Sequence, residues 1–259
     1  MELKGTSAFV TGGASGLGEA TSRLLAQRGV KVVVADLERQ SEKGEALAKE
    51  IGGAWVPCDV TNAEQVQVAV TTAVEMAPLR ALVNCAGIGF AARTISRDGT
   101  PADLDWFKRV IDINLTGTFN CIRLSAQAMN TNEADEDGCR GAIVNTASVA
   151  AFDGQIGQAA YASSKGGVVA LTLVVARDLS AAGIRCNCIA PGLIDTPIYG
   201  DGPQADAFKQ ALGRDVLFPP RLGKGTEFAS MAVELLSNSY MNGETIRVDG
   251  GIRMPPKSH

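Results

Sequence analysis

The stretch Thr11-Gly12-Gly13-Ala14-Ser15-Gly16-Leu17-Gly18 determines the fold, and it lies between a short apolar run and a helical pattern. Glycines here let the backbone turn tightly from strand to helix and approach a pyrophosphate, whose charge then rests on the free N–H groups at the helix N-terminus. The same cluster could form an ordinary strand-to-helix turn, so its surroundings decide between the two interpretations. The candidate phosphate-binding residues are Gly12, Ser15, Gly16, Leu17 and Gly18.

Outside this stretch, short strand-like runs alternate with helical patterns along the whole chain. Strands are predicted at residues 7–10, 31–35, 54–57, 80–83, 142–145, 184–189 and 244–248. Apolar residues at three- and four-residue spacing predict helices near 16–28, 40–51, 62–76, 102–130, 157–181 and 225–237. The alternation predicts an α/β fold: one Rossmann-like domain over residues 1–259, with a doubly wound, parallel, seven-stranded sheet and helices on both faces.

Residues 191–225 interrupt this alternation with a long irregular stretch that contains Pro197, Pro203, Pro219 and Pro220. A structureless stretch of this length is unusual in a compact domain and is most often a lid or a binding loop. We therefore expect it to be the substrate loop.

The composition excludes several classes of protein. A net charge of -4 leaves no basic stripe, so we expect no nucleic-acid partner. No uninterrupted apolar stretch approaches the roughly 18 residues of a membrane helix, and the chain runs directly into its first strand, so we expect no membrane association and a cytoplasmic location. The only histidine is His259, the last residue, which excludes Ser-His-Asp hydrolysis and His-containing zinc sites. The six scattered cysteines lack C-x-x-C spacing, and we expect no metal site.

An acidic residue ends the second predicted strand. Asp36 lies roughly 20 residues beyond the glycine loop, where a carboxylate accepts hydrogen bonds from the adenosine ribose of a dinucleotide. The same carboxylate repels a 2′-phosphate, and the glycine loop contains no Arg or Lys to attract one. The pattern favours NAD over NADP as the cofactor, although an Asp at a strand end can also be a helix cap or a turn residue.

Two further strand ends are candidates for cofactor contacts. Asp59 and Val60 follow the third strand, where we expect them beside the adenine. Asn84, Ala86 and Gly87 follow the fourth strand, where the backbone could pass close to the cofactor. Either segment could be an ordinary turn, but ligands bind at the carboxyl ends of strands in sheets of this kind, and this position favours the functional interpretation.

A second group of residues suggests proton-transfer chemistry. Tyr161 and Lys165 are four apart in a predicted helix, so both side chains lie on one face. A nearby ammonium, together with an oxidised nicotinamide, favours phenolate and lowers the tyrosine pKa toward working pH, as a general base requires. Ser148 follows the fifth strand and could hold the substrate oxygen. Asn114, a polar residue in an apolar helical stretch, needs a partner if buried, and a water shared with Lys165 would provide one.

These residues together resemble the short-chain dehydrogenase/reductase family over essentially the whole chain. The resemblance implies an enzyme with the catalytic tetrad Asn114, Ser148, Tyr161 and Lys165, in which Tyr161 and Lys165 also contact the cofactor. It also implies a nicotinamide side lined by Pro191, Gly192 and Thr196, and a homotetramer. Cys85 is the one departure, because many members have a second Asn there, and backbone contacts should be unaffected.

Within the family, the similarity is greatest to members that act on 3-hydroxyacyl-CoA thioesters and on hydroxysteroids, and it includes the stretch 145–161. This implies NAD-dependent interconversion of (S)-3-hydroxyacyl-CoA and 3-oxoacyl-CoA in fatty acid metabolism, with Gln155 and Gln158 beside the substrate together with Ser148 and Tyr161. Both glutamines could instead be surface or capping residues. Three alternatives stay open: a hydroxysteroid dehydrogenase, a 3-oxoacyl reductase of fatty-acid synthesis, and a non-catalytic dinucleotide-binding regulatory module. Candidate groups for the coenzyme A phosphates, each also interpretable as a surface charge, are Arg93, Arg97, Arg214, Arg221 and Lys224.

Overall fold

The computed structural model describes residues 1–89, 91–200 and 202–257, and a seven-stranded parallel sheet lies at its centre. The strands of this sheet and of a separate two-stranded pair are β1 (Ser7–Thr11), β2 (Lys31–Asp36), β3 (Ala54–Pro57), β4 (Leu79–Asn84), β5 (Gly141–Thr146), β6 (Ile184–Pro191), β7 (Ile194–Asp195), β8 (Gly223–Lys224) and β9 (Thr245–Val248). The sheet order is β3-β2-β1-β4-β5-β6-β9, and β7 pairs with β8 outside it. The predicted α/β class and strand number are confirmed.

Helices cover both faces of the sheet. They are α1 (Gly16–Gln27), α2 (Ser41–Ile51), α3 (Ala63–Met76), α4 (Leu104–Ile111), α5 (Gly117–Met129), α6 (Ala159–Asp178), α7 (Pro203–Gly213) and α8 (Gly225–Ser237). Successive side chains of a strand point to opposite faces, so Phe9 joins a core formed with α3 and α5, whereas Val10 joins a second core formed with α1 and α8. Burial on both faces explains why the strands are almost continuously apolar.

Two predicted segments differ from the structure. The single helix expected near 102–130 consists of α4, a π-helical turn at Asp112–Thr116, and α5. The irregular stretch 191–225 contains α7 and the short β7–β8 pair. Pro203 begins α7 at a position where its missing N–H costs no hydrogen bond, so this proline starts a helix rather than preventing one.

The strand order reverses between β1 and β4, which opens a crevice at their carboxyl ends. Thr11 and Asn84 are paired in register at that edge. Among the described residues, α6 is the one helix that meets the length and hydropathy of a membrane span, with a mean hydropathy of 1.4. It packs against β6 in the folded domain and carries Tyr161 and Lys165. His259 lies outside the described residues.

Candidate active site

The glycine loop forms a close-packed turn between β1 and α1. The Oγ1 atom of Thr11 accepts hydrogen bonds from the backbone N–H groups of Cys85 and Ala86, each at 3.1 Å. Gly12 has φ +61°, and a Cβ there would lie 2.9 Å from the Ala86 nitrogen. A Cβ at Gly18 would overlap the Gly12 carbonyl oxygen. Only glycine fits these positions, and the backbone amides at the start of α1 fit a pyrophosphate.

The helix begins at the end of this loop in a way that suits an anion. α1 begins at Gly16, and Ser15 is its N-cap residue in an extended conformation, with a side chain that accepts no capping hydrogen bond from the helix. The side chain of Thr196 lies beside Gly16, with its Cγ2 atom 3.4 Å from where a Cβ would stand. The fold therefore brings the predicted phosphate-binding loop together with Thr196, although 180 residues separate them in the chain.

The carboxylate of Asp36 lies beside the same loop. Its Oδ2 atom accepts a hydrogen bond from the Ala14 N–H at 3.2 Å, and its Oδ1 atom accepts one from Leu37 at 2.8 Å. These contacts fix a negative charge next to the glycine loop, as a ribose-binding role requires. They also satisfy the backbone of the turn, and the role of Asp36 toward a ribose stays a prediction.

At the ends of β3 and β4, the predicted cofactor residues have side chains that are engaged within the protein or are absent, so mainly their backbone is available to a cofactor. Asp59 caps its own turn by accepting hydrogen bonds from Thr61, and the Val60 carbonyl accepts one from Asn120 at 2.8 Å. The Asn84 side chain is buried and donates to Asn145 Oδ1 at 2.9 Å. Contacts of Asn84 to a cofactor would therefore come from its backbone, as they would from Ala86 and Gly87 next to it.

The proposed proton-transfer pair lies at the carboxyl end of β5. Ser148 stands two residues beyond β5, and its Oγ atom accepts a hydrogen bond from the Ala150 N–H at 3.1 Å. Burial raises the pKa of Tyr161 above its usual value of 10, and a hydrogen bond with Ser148 partly offsets this effect. The expected lowering of the Tyr161 pKa is therefore not produced by the protein groups alone. The two hydroxyls are nevertheless adjacent, as the sequence predicted.

Lys165 is buried on the same face of α6, and its Nζ atom donates to the Thr146 carbonyl at 2.8 Å. The Nζ atom lies 5.9 Å from the centroid of the Tyr161 ring. Burial lowers the Lys165 pKa from 10.5 to about 8. A Cβ on Gly87 would lie 3.4 Å from this nitrogen, so the ammonium faces the backbone after β4, where the cofactor is expected.

Asn114 lies in the π-helical turn and is fully buried. Its side-chain amide donates to the Ile88 carbonyl at 2.9 Å and to Ser164 Oγ at 3.0 Å, and its oxygen accepts from the Ile88 N–H at 2.8 Å. The amide thus fixes the backbone that follows Gly87. These protein partners satisfy the buried amide, and the expected water shared with Lys165 stays a prediction. π-Helical turns inside α-helices are frequent at functional sites because they reorient one side chain.

The remaining predicted cofactor residues lie where β6 ends. Pro191 is the last residue of β6, and the Gly192 N–H donates to the Val248 carbonyl at 3.0 Å. A Cβ on Gly192 would lie 2.8 Å from the Asp249 Cα atom, so glycine is required for this close approach. The chain then passes through β7 to Thr196, which lies against the glycine loop.

The two glutamines predicted to bind substrate are engaged within the protein. Gln155 Nε2 donates to the Pro255 carbonyl at 2.9 Å, and Gln158 Oε1 accepts from the Gln155 N–H at 3.0 Å. The Gln155 amide retains a second N–H for another acceptor. Their role toward substrate stays a prediction.

Three contributors were missed by the sequence reasoning. Thr11 holds the backbone after β4, and Ser164 holds Asn114. Burial raises the pKa of Tyr199, and the nearby Tyr161 raises it further, which places Tyr199 close to Tyr161. Ser164 is three residues beyond Tyr161 on α6, and its hydroxyl donates to the Tyr161 carbonyl at 2.8 Å. Helical spacing from Tyr161 was the available signal for Ser164. Nothing local indicated the other two.

Known proteins resemble this chain over nearly its whole length. A family model described as enoyl-(acyl carrier protein) reductase matches residues 12–253. 3-Hydroxyacyl-CoA dehydrogenase type-2 of Drosophila melanogaster is 49% identical over 258 residues, which cover 98% of this chain and 100% of that protein. The Homo sapiens protein of the same name is 47% identical, with 98% and 97% covered. A crystal structure of 3-hydroxyacyl-CoA dehydrogenase type-2 from Mycobacterium avium matches with a TM-score of 0.92 at 47% identity and 98% coverage of both chains.

The chain therefore belongs to the short-chain dehydrogenase/reductase family, and the resemblance predicted from its motifs is confirmed. It is an oxidoreductase that uses a nicotinamide dinucleotide and a small-molecule substrate. The description of the family model refers to an acyl carrier protein, whereas the names of the relatives above refer to 3-hydroxyacyl-CoA.

Proposed function

We propose that this enzyme interconverts (S)-3-hydroxyacyl-CoA and 3-oxoacyl-CoA, with NAD as the cofactor. The observation that carries the proposal is the meeting of Ser148, Tyr161 and Lys165 beside the backbone that follows β4. This arrangement supports proton exchange with the oxygen of a secondary alcohol. The choice of a 3-hydroxyacyl thioester is supported by the names of relatives at 47–49% identity.

In the direction of oxidation, Tyr161 removes the proton from the substrate hydroxyl while Ser148 holds the same oxygen by a hydrogen bond. The dinucleotide, when bound, supplies the acceptor for the hydride that leaves the carbinol carbon. Lys165, whose Nζ atom lies 5.9 Å from the centroid of the Tyr161 ring, provides a positive charge that favours the phenolate. Asn114 keeps the backbone after Gly87 in place through Ile88. In the reverse direction, Tyr161 returns the proton to the ketone oxygen.

The preference for NAD over NADP is supported by Asp36. Its carboxylate is fixed beside the glycine loop by two backbone N–H groups, and the loop contains no basic side chain. A 2′-phosphate would meet this negative charge in a partly desolvated site, which disfavours NADP. The same argument disfavours 3-oxoacyl reduction in fatty-acid synthesis, which generally uses NADPH.

We also propose a homotetramer that acts in cytoplasmic fatty acid metabolism. Assembly is supported by apolar side chains on the outer faces of α5 and α6: Phe119 is 47% exposed, Leu173 44% and Val174 52%. Faces of this kind commonly mark contacts between subunits. The measurement is the mass of the protein in solution by light scattering.

A kinetic panel tests the proposed reaction. We expect kcat/KM to be highest for 3-hydroxybutyryl-CoA with NAD, and lower for 3-hydroxybutyrate, which lacks the binding energy of the coenzyme A portion. If a 17β-hydroxysteroid is oxidised most efficiently, the enzyme is a hydroxysteroid dehydrogenase. If the protein binds NAD but oxidises no secondary alcohol, it is a non-catalytic dinucleotide-binding module. The Tyr161→Phe variant is the control for contaminating activity.

A further inference from the structure

Arg247, near the end of β9, connects the C-terminal part of the chain to the loop between the two catalytic hydroxyls. Its Nη2 atom donates to Asp153 Oδ2 at 2.7 Å and to the Ile252 carbonyl at 2.9 Å, and its Nε atom donates to Asp249 Oδ2 at 2.7 Å. The guanidinium carbon also lies 5.5 Å from the centroid of the Phe152 ring. One side chain therefore contacts both the connecting loop (residues 152–158) and the C-terminal segment (residues 249–256).

Two more hydrogen bonds join the same two segments. Gln155 Nε2 donates to the Pro255 carbonyl, and the Ile156 N–H donates to the Pro256 carbonyl, both at 2.9 Å. Both acceptors are backbone carbonyls. Their positions therefore depend on the backbone path of the C-terminal segment and not on its side chains. Arg247 and Asp249 fix that path.

An apolar contact lies directly behind Ser148. Ile252 of the C-terminal segment is 1% exposed and forms a small core with Val149, the residue after Ser148, and with Val216. The C-terminal segment thus supports the start of the connecting loop by packing and its middle by hydrogen bonds. The loop ends at Gln158, three residues before Tyr161.

We propose that the C-terminal segment, held by the Arg247–Asp153 ion pair, positions the connecting loop for substrate, so that this ion pair sets substrate affinity but not dinucleotide affinity. Arg247 is a positioning residue, because it acts through the connecting loop. The selectivity follows from the topology: Asp153 contacts neither the glycine loop nor Asp36, which lie on the β1–β2 side of the sheet. This inference rests on the proposed function.

The ion pair between Arg247 and Asp153 is partly buried, so its loss should have a measurable effect on substrate affinity. The side chains of Arg247 and Asp153 are 22% and 18% exposed, so solvent screens their attraction less than that of a surface pair. Loss of the Asp153 charge leaves at most a weaker, neutral hydrogen bond at this position and loosens the loop there. We expect a rise in KM of about tenfold, which corresponds to about 1.4 kcal/mol of lost binding free energy.

The test compares three substitutions at this pair in the full chain. Asp153→Asn should raise KM for 3-hydroxybutyryl-CoA about tenfold, change kcat less than threefold and leave the Kd for NAD within twofold. Asp153→Glu retains the carboxylate and should bring KM back to within about threefold of the unmodified enzyme. Arg247→Lys retains the charge but cannot reach all three acceptors at once, so KM should rise in the same direction. It tests the proposal independently if Asp153→Asn does not fold.

Arg253→Gln is the matched control. Arg253 pairs with Asp249 at 3.4 Å on the same segment but is 64% exposed, and its hydrogen bonds within the described part of the chain go to Asp249 and Ile252. This variant should therefore leave KM and Kd unchanged. The proposal is overturned if Asp153→Asn leaves KM unchanged, or if KM and the Kd for NAD rise by the same factor.

Hydrogen exchange at the Ile156 amide separates this proposal from the proposed function. If the unmodified enzyme oxidises none of the alcohols in the panel, the proposed function fails, and exchange alone then decides about the connecting loop. Exchange at Ile156 at least tenfold faster in Asp153→Asn than in Arg253→Gln supports the positioning role. Equal exchange in the two variants refutes it.

Discussion

Replacement of Lys165 by Met should change how the stability of the protein depends on pH. Lys165 is 5% exposed, and burial lowers its pKa from 10.5 to about 8. Between pH 8 and 10.5 the unfolded chain therefore retains a proton that the folded protein has released, and folding stability rises with pH across this window. The difference between the two pKa values corresponds to about 3 kcal/mol. Lys165→Met removes the titrating group, so the variant should lack this gain.

The assay is urea unfolding of both proteins without NAD at pH values from 7 to 10.5. The free energy of unfolding of the unmodified protein minus that of the variant should grow by about 3 kcal/mol toward high pH. The Thr146 carbonyl loses its donor in the variant at every pH, which adds a constant and does not affect the slope. Lys49→Met, at an exposed position on α2, is the control and should show a difference independent of pH. A flat difference for Lys165→Met would falsify the assignment of a buried ammonium with a lowered pKa.

Three further predictions concern single sites. Tyr161→Phe should reduce kcat by at least about 10³-fold, because the proton-transfer oxygen is lost. The Kd for NAD, measured by titration, should stay within twofold. Substantial turnover would show that another group carries the proton. Asp36→Ala should reduce the preference for NAD, and a positive charge added at Leu37 should shift the preference toward NADP. The measurement is kcat/KM with each cofactor. Equal kcat/KM for NAD and NADP in the unmodified enzyme would refute the role of Asp36 in cofactor choice. Arg185→Met should lower stability by about 3 kcal/mol, because the carbonyls of Leu235 and Leu236 lose their side-chain donor and the Met241 carbonyl keeps only the one from Asn187. Exposed Arg177→Met should cost less than about 0.5 kcal/mol in the same unfolding assay.

The sequence predicts those parts of the site whose geometry is local. The glycine loop could be predicted because a strand, a turn and a helix follow one another directly. Asp36 could be placed at the end of β2 because it directly follows the apolar run of that strand. Tyr161 and Lys165 lie on one face of α6 because four residues make about one helical turn. Each of these relations spans a few residues, so spacing alone is sufficient.

Contacts across the fold could not be predicted in this way. The partners of Asn114 are Ile88 and Ser164, 26 and 50 residues away, and no local pattern specifies them. The π-helical turn at Asp112–Thr116 was predicted as ordinary helix because one extra residue hardly changes the apolar periodicity. α7 was not predicted, because four prolines in residues 191–225 indicated an irregular stretch and the sequence does not distinguish a proline at a helix start from one in a loop.

The strand order gives the site two halves with separate tasks. The glycine loop and Asp36 lie beyond β1 and β2, whereas Ser148 and the connecting loop follow β5 and are tied to the C-terminal segment beyond β9. The crevice between β1 and β4 separates these halves, and Lys165 faces the backbone that borders it. A substitution in the connecting loop or the C-terminal segment should therefore change substrate affinity alone, and one at Asp36 should change cofactor affinity alone. Lys165 belongs to both halves, because its ammonium supports the Tyr161 phenolate and faces the expected cofactor position. Among the predicted catalytic residues, it is the one whose replacement should weaken NAD binding and slow turnover together.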